Sequence, residues 1–289
     1  MRGWWQDLTD LVLPAECAGC GAPRTVLCAR CREALGAAPP RRVRPLPEPP
    51  GLPVVHAAAP YALQVRQLLL AHKERGALAL TGALGAALAG AVRAGLGPAR
   101  GGGGRAVPAR SGTVLLVPVP SARWAVRARG HDPVRRMARA AAGELRRTGT
   151  PARVVAVLRQ RRAVADQAGL DARRRLENLA GALEVTAGGA RLLTEGRVVL
   201  VDDLITTGAS LAEAARALRE AAISHRDGGT AVYGRGTREG REERWAGARE
   251  ESGKWVHGAP ERVAPNAAGG ALHAAVVAGP RDSFEINRN

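Results

Sequence analysis

VVLVDDLITTGAS, residues 198–210, is the stretch on which the whole chain turns. Val198 to Val201 form an apolar run without polar alternation, the pattern of a strand buried on both faces of a parallel sheet. Asp202 and Asp203 follow at its carboxyl end, where open α/β sheets bind their ligands. Thr206, Thr207, Gly208, Ala209 and Ser210 then predict a tight turn into a helix over 210–222. Backbone N–H groups at such a turn, together with the helix N-terminus, form an anion site, and Gly208 permits close approach. Two carboxylates beside a phosphate cradle suit a sugar phosphate, with diol hydroxyls on the acids and phosphate on the turn. The plain alternative is a strand–turn–helix with an Asp cap.

Outward from this stretch the chain alternates between strand and helix patterns. Val114 to Val117 reads as a short buried strand, and Asp132 and Pro133 as cap and first residue of a helix reaching about Thr148. Further strands are expected at 54–59, Val154 to Leu158 and Ala274 to Ala278. Helices are expected at 62–73, 77–95 and 171–180, and a hairpin at 182–186 and 191–194 across Gly188-Gly189. The fold class is therefore α/β with a mainly parallel sheet. Residues 3–13 (GWWQDLTDLVL) place Trp4, Trp5, Leu8, Leu11 and Val12 at helical spacing, and Pro14 ends the run. The domain plan is an N-terminal helix and cysteine module at 1–37, a Pro/Arg-rich linker at 38–53 and the main domain at 54–223. A disordered insertion at 224–270 and a final strand and tail at 271–289 complete it. Residues 224–263 carry 8 basic and 7 acidic side chains with almost no aliphatic content.

The 198–210 stretch closely resembles the ribose-phosphate signature of the type I phosphoribosyltransferases. That resemblance implies that Asp202 and Asp203, the candidate catalytic pair, hold the ribose hydroxyls of phosphoribosyl pyrophosphate (PRPP). Thr206, Thr207, Gly208, Ala209 and Ser210 would take its 5′-phosphate, and Mg²⁺ would bridge ribose and pyrophosphate. Three further stretches are similar to the ComF-like branch: the four-cysteine module, LLVPVPSARWAVRARGHDP at 115–133 and LRQRRAVADQAGLDARRRLENLAGAL at 158–183. They imply a sheet of the type I phosphoribosyltransferase kind, with Ser121, Arg123 and Arg129 facing the pyrophosphate. They also imply a mobile loop carrying Arg159, Gln167, Arg175 and Asn178. The chain departs from the pattern where RGHDP (Arg129 to Pro133) replaces the usual RGFNQ, and where Asp166 stands in place of Pro. His131 is expected to be a surface or packing residue rather than a catalytic acid. Lys73 occupies a position where the family commonly has Lys, which implies a structural or phosphate-facing role. The resemblance implies transfer of ribose 5-phosphate to an acceptor. It leaves open a non-catalytic PRPP-binding protein, or a competence factor handling single-stranded DNA with a DNA-uptake helicase.

Cys17, Cys20, Cys28 and Cys31 give C-x2-C-x7-C-x2-C and are the only cysteines in 289 residues. Two close knuckles match the tetrahedral thiolate set of a closed, structural Zn²⁺ site. Free thiols or disulfides are the alternatives, and disulfides would require an oxidising compartment. The formal charge of +17 is carried almost wholly by Arg, since Lys73 and Lys254 are the only lysines. Residues 121–175 hold 15 Arg against Asp132, Glu144, Asp166 and Asp171, a local balance of +11 that calls for phosphate, free or in nucleic acid. The most apolar stretch, Ala77 to Val92, reads as too short for the roughly 20 residues of a membrane span. Trp4, Trp5, Asp7 and Asp10 stand where a signal peptide would have its apolar core. A cytoplasmic location without membrane insertion is the expectation; the oligomeric state is left open.

Overall fold

A computed structural model describes residues 16–36, 38–97, 112–162, 164, 171–226 and 272–285. The expected helix at 3–13, most of the Gly/Arg-rich stretch at 96–112, Gln167 and nearly all of the 224–270 insertion lie outside the described residues. The described chain is mixed α/β. Six strands form one sheet: β1 (Arg41–Val43), β2 (Val54–Pro60), β3 (Thr113–Pro118), β4 (Ala152–Val154), β7 (Gly196–Leu204) and β8 (His273–Gly279). Their spatial order is β1-β2-β8-β7-β3-β4, and only β1 runs antiparallel to its neighbour. The apolar run at 198–201 thus lies on a central strand, between β3 and β8.

Both sheet faces are covered, which is why the central strands read as continuous apolar runs. On one face lie α2 (Leu63–Glu74), α3 (Thr81–Leu96) and α5 (Pro133–Arg147). Their Leu68, Leu84, Leu88, Met137 and Leu145 share a core with Leu116, Val199, Val201 and Val277. On the other face α8 (Ala209–Arg226) packs Leu211, Ala214, Ala215 and Leu218 against Leu115, Val117, Leu200 and Val276. α5 begins as its sequence dictates: Asp132 Oδ1 accepts from the Arg135 N–H at 3.0 Å, with Pro133 in the first turn. The short helix α6 (Ala172–Leu179) is capped the same way by Asp171.

With the 3₁₀ turn at Leu78–Leu80, α3 forms a 19-residue apolar run of mean hydropathy 1.4. By length and composition that run is long enough to cross a membrane, which corrects the shorter sequence estimate. In the fold it is a core helix against α5 and the sheet, with Leu84, Leu88 and Val92 buried. It lies tightly against α5 at Gly85, where an added Cβ would sit 2.4 Å from the Ala140 Cβ. Gly85→Ala is therefore expected to force the helices apart at a cost of about 1–3 kcal/mol, read as a lower urea midpoint at unchanged m-value.

Three local expectations are corrected. Residues 182–186 and 191–194 do not pair across Gly188-Gly189. β6 (Leu183–Val185) pairs antiparallel with β5 (Leu158–Gln160), while α7 (Gly189–Leu193) is one helical turn. Gly188, at φ +75, opens that helix rather than closing a hairpin, and Leu193 is buried beneath α8 and β7. The single strand expected at 154–158 is divided between β4 on the sheet edge and β5 in this two-stranded ribbon. Residues 38–53 connect, but they also supply β1 to the sheet.

Candidate functional site

β7 lifts Asp202 and Asp203 to its carboxyl end, and both are buried, at 9% and 8% exposure. The Asp203 N–H donates to Asp202 Oδ1 at 2.8 Å. Lys73, in the last turn of α2, donates from Nζ to Asp203 Oδ2 at 2.9 Å. Burial, then the neighbouring Asp203 charge, pushes the Asp202 carboxyl well above the usual carboxylate range, and Lys73 opposes this. The Asp203 charge in turn raises the Lys73 ammonium, with burial acting against it. The pair is thus a tense acidic site held by one cation.

After β7 the chain turns through Thr206 to Gly208 and enters α8. Gly208 takes φ +76, and an added Cβ would meet Leu52 Cδ1 at 3.0 Å and Pro49 Cγ at 3.2 Å. Residues 49–52 therefore brace the turn, and Arg219 Nη2 of α8 donates to Gly51 O at 2.7 Å. The Ala209 N–H approaches Thr207 Oγ1 at 3.4 Å, and the Ala212 N–H closes the first helical turn onto Gly208 O.

Across from the acids, the loop after β3 and the helix α4 (Arg123–Arg129) complete a cavity of about 370 Å³. Asp202, Asp203, Thr206, Ser210, Ser121 and Arg129 all line it, as do Lys73, Trp124, Gln160, Leu179 and Leu183. Arg129 Nε donates to Glu74 Oε2 at 2.8 Å, so consecutive residues of α2 hold a cation and an anion of the same cavity. A larger cavity of about 450 Å³ lies elsewhere, between the cysteine module and α3. It contains no carboxylate and none of the signature residues. Asp202 and Asp203 line the smaller one instead.

Neither a family model nor a curated protein sequence matches the chain. The assignment of its chemistry therefore rests on the residues themselves.

The remaining expected residues divide. Arg123 is exposed at the start of α4 and does not line the cavity. Arg159 pairs with Glu184 across the β5–β6 ribbon at 2.8 Å, while its neighbour Gln160 faces the cavity. Arg175 and Asn178 lie on α6 without lining the cavity; the Arg175 Nε is buried without a partner among the described residues. The Asn178 carbonyl accepts from Arg162 at 2.8 Å. His131 is a packing residue, as expected: its ring nitrogens approach Arg129 O and His72 O, and it meets the His72 ring edge-on at 6.0 Å. Burial, then His131, lowers the His72 pKa to about 4, so His72 is neutral at pH 7. Glu74, Trp124, Gln160 and the bracing Pro49–Leu52 were not singled out by the sequence as site residues. A charge beside Lys73 and the only aromatic in 121–175 were the available signals.

The four cysteines meet. Their sulfurs lie within 4.8 Å of one another, with Cys20 and Cys28 at 3.5 Å. Tetrahedral metal–sulfur bonds of 2.3 Å would space them by roughly 3.8 Å, so the set fits one metal ion. Burial raises the Cys17 thiol, but hydrogen bonds from the Cys28, Gly19 and Cys20 backbones outweigh it and bring the pKa down to about 6. Cys28 also begins α1 (Ala29–Ala34), whose Cys31 and Leu35 side join the main core.

Proposed function

We propose that this chain is a phosphoribosyltransferase-like protein that binds PRPP with Mg²⁺ and transfers ribose 5-phosphate to an acceptor nucleophile. One observation carries the reading: two adjacent buried carboxylates at the end of a central parallel strand share one cavity with Thr206 and Ser210 of the following turn and with Ser121 and Arg129, while Thr207, Gly208 and Ala209 do not line it. Asp202 and Asp203 would hold the ribose diol, and the Thr206–Ser210 turn the 5′-phosphate. Ser121 and Arg129 would hold the departing pyrophosphate, to which a guanidinium offers a fork of donors. Mg²⁺, when bound, would neutralise charge on the leaving group. The bond from the anomeric carbon to the pyrophosphate oxygen breaks as the acceptor bonds to that carbon, and the electron pair leaves with pyrophosphate. Catalysis would come from positioning and from stabilising charge, not from covalent chemistry. Lys73 and Arg129 each spend one donor on a protein carboxylate, Asp203 and Glu74, and would meet the ligand with the donors that remain. The four-cysteine set is assigned a structural Zn²⁺, which fits its closed, all-sulfur ligand set.

Calorimetric titration of PRPP with Mg²⁺ is expected to show binding by the wild type and at least about tenfold weaker binding by the Asp202→Asn/Asp203→Asn double variant. A folded wild type that takes up no PRPP sinks the proposal. A second reading, a non-catalytic factor that grips single-stranded DNA, draws on the surface beside the cavity. Arg123 and Arg127 are exposed on α4, which also carries Trp124 at 61% exposure, and Arg135, Arg136 and Arg139 are exposed on α5. One aromatic is a poor stacking platform, so the first reading is preferred. DNA binding that persists at physiological salt without PRPP would reverse that order.

A further inference from the structure

We propose that the larger cavity is the seat of the chain's own N-terminal segment, residues 4–13, docked through its tryptophan–leucine face. The groove is about 450 Å³ and is walled by Arg32 and Leu35 on one side, Pro40 below, and Ala87, Gly90 and Arg93 of α3 on the other. α3 is buried along Leu84, Leu88 and Val92, yet turns a row of Ala83, Ala86, Ala87 and Gly90 to the groove. An added Cβ at Gly90 would meet Pro40 Cγ at an ordinary contact distance of 3.6 Å, so this face tolerates an added carbon without a clash. Such a groove is built to take a larger side chain from an amphipathic helix.

Three features identify the occupant. The first is pattern: at 100° per residue Trp4, Trp5, Leu8, Leu11 and Val12 form one stripe, while Asp7 and Asp10 lie along a single edge of it. The second is charge. The groove is lined by two guanidinium groups, Arg32 and Arg93, and by no carboxylate, and the segment brings two carboxylates and no cation between Trp4 and Pro14. The third is tether. The segment joins the described chain at Glu16, beside Cys17, whose Sγ lies within 4.8 Å of that of Cys31, the residue before Arg32. Pro14 and Ala15 can span about 7 Å of extended chain. Ten helical residues are about 15 Å long, the same as the ten-residue rise from Ala83 to Arg93 along α3. No other motif of the sequence combines these features, and the proposed transfer chemistry makes no use of this one. Because α1 forms one wall, the seat also ties the N-terminus to the metal-binding module.

Amide hydrogen exchange on the full-length protein tests this. Amides of residues 4–13 are expected to exchange on the order of tenfold more slowly in the wild type than in Arg93→Glu or Ala87→Glu, with β7 unchanged as a control for folding. Restoration of protection in Arg93→Glu/Asp10→Arg would support the charge match. Leu8→Ser, which leaves the groove intact, should conversely speed exchange along 83–93, and it keeps the test sound if a groove variant misfolds. Free-peptide exchange rates for 4–13 in the wild type would overturn the proposal. So would protection indifferent to every one of these variants. Protection that appears only with a concentration-dependent doubling of mass would assign the groove to a second copy of the chain and overturn the intramolecular seat.

Discussion

Cys31→Ser is expected to strip one bound metal ion per chain and to lower the melting temperature by roughly 10 °C, on the order of 4 kcal/mol. Two losses combine. A serine hydroxyl is a poor replacement for a thiolate at a tetrahedral soft-ligand site, so affinity falls sharply. Cys31 is also fully buried, in the cluster that joins Leu35 and Leu68, and a Cβ built on Gly19 would lie 2.8 Å from its sulfur. The module's other apolar residues, Ala18, Ala22, Val26, Leu27 and Ala34, are only partly buried against that core, so a bound metal would add cohesion to what packing supplies. Cys20→Ser separates the two effects, because Cys20 is exposed. It should lose the metal with a smaller drop in melting temperature than Cys31→Ser. Metal content measured by plasma mass spectrometry beside thermal unfolding decides the matter. Retention of a full equivalent of metal by both variants would remove the case for a tetrathiolate site.

The elements legible in the sequence are those specified by near neighbours. The apolar run before Asp202, the capping Asp132 and Asp171 and the two cysteine knuckles each act within a few residues, and each stands where the sequence places it. What was not legible depends on partners far away in the chain. Leu183 to Val185 needed Leu158 to Gln160 beside it, and the Gly188-Gly189 pair pointed to a hairpin because nothing local reveals that Gly188 begins a helix. Arg41 to Val43 became a strand only because β2 offered an open edge. The same holds within the site. Lys73 meets Asp203 across 130 residues, Arg129 meets Glu74 across 55, and Gly208 is braced by Leu52. Sequence read the acids and the turn; the charges that balance them came from topology.

Lys73→Met should expose how much that balance matters. Asp203 and Asp202 are both nearly excluded from solvent, and Lys73 is the only cation donating to either among the described hydrogen bonds. Removing one partner of a buried pair strands the other charge, at a typical cost of about 3–5 kcal/mol. The Lys73 side chain is 35% exposed, so water screens part of the interaction and a loss of about 2–3 kcal/mol at pH 7 is expected. The pH dependence gives the effect its signature. Asp202 already titrates above its ordinary value of 3.8, so the native state holds a proton that the unfolded chain releases, and stability falls as pH rises from that value through the folded pKa. Deleting the ammonium extends this fall to higher pH, so the variant should lose more stability at pH 8 than at pH 5. In the wild type the Lys73 pKa is raised, so its contribution is complete below the unfolded value of 10.5 and disappears only as pH climbs through the higher folded value. Urea unfolding of both proteins at pH 5, 7 and 8 measures the difference. The variant also leaves the cavity more negative by one charge, and PRPP binding should weaken about tenfold. Equal destabilisation at all three pH values would mean that Lys73 acts through its aliphatic packing, and that removing it leaves the protonation of the acids at the end of β7 unchanged.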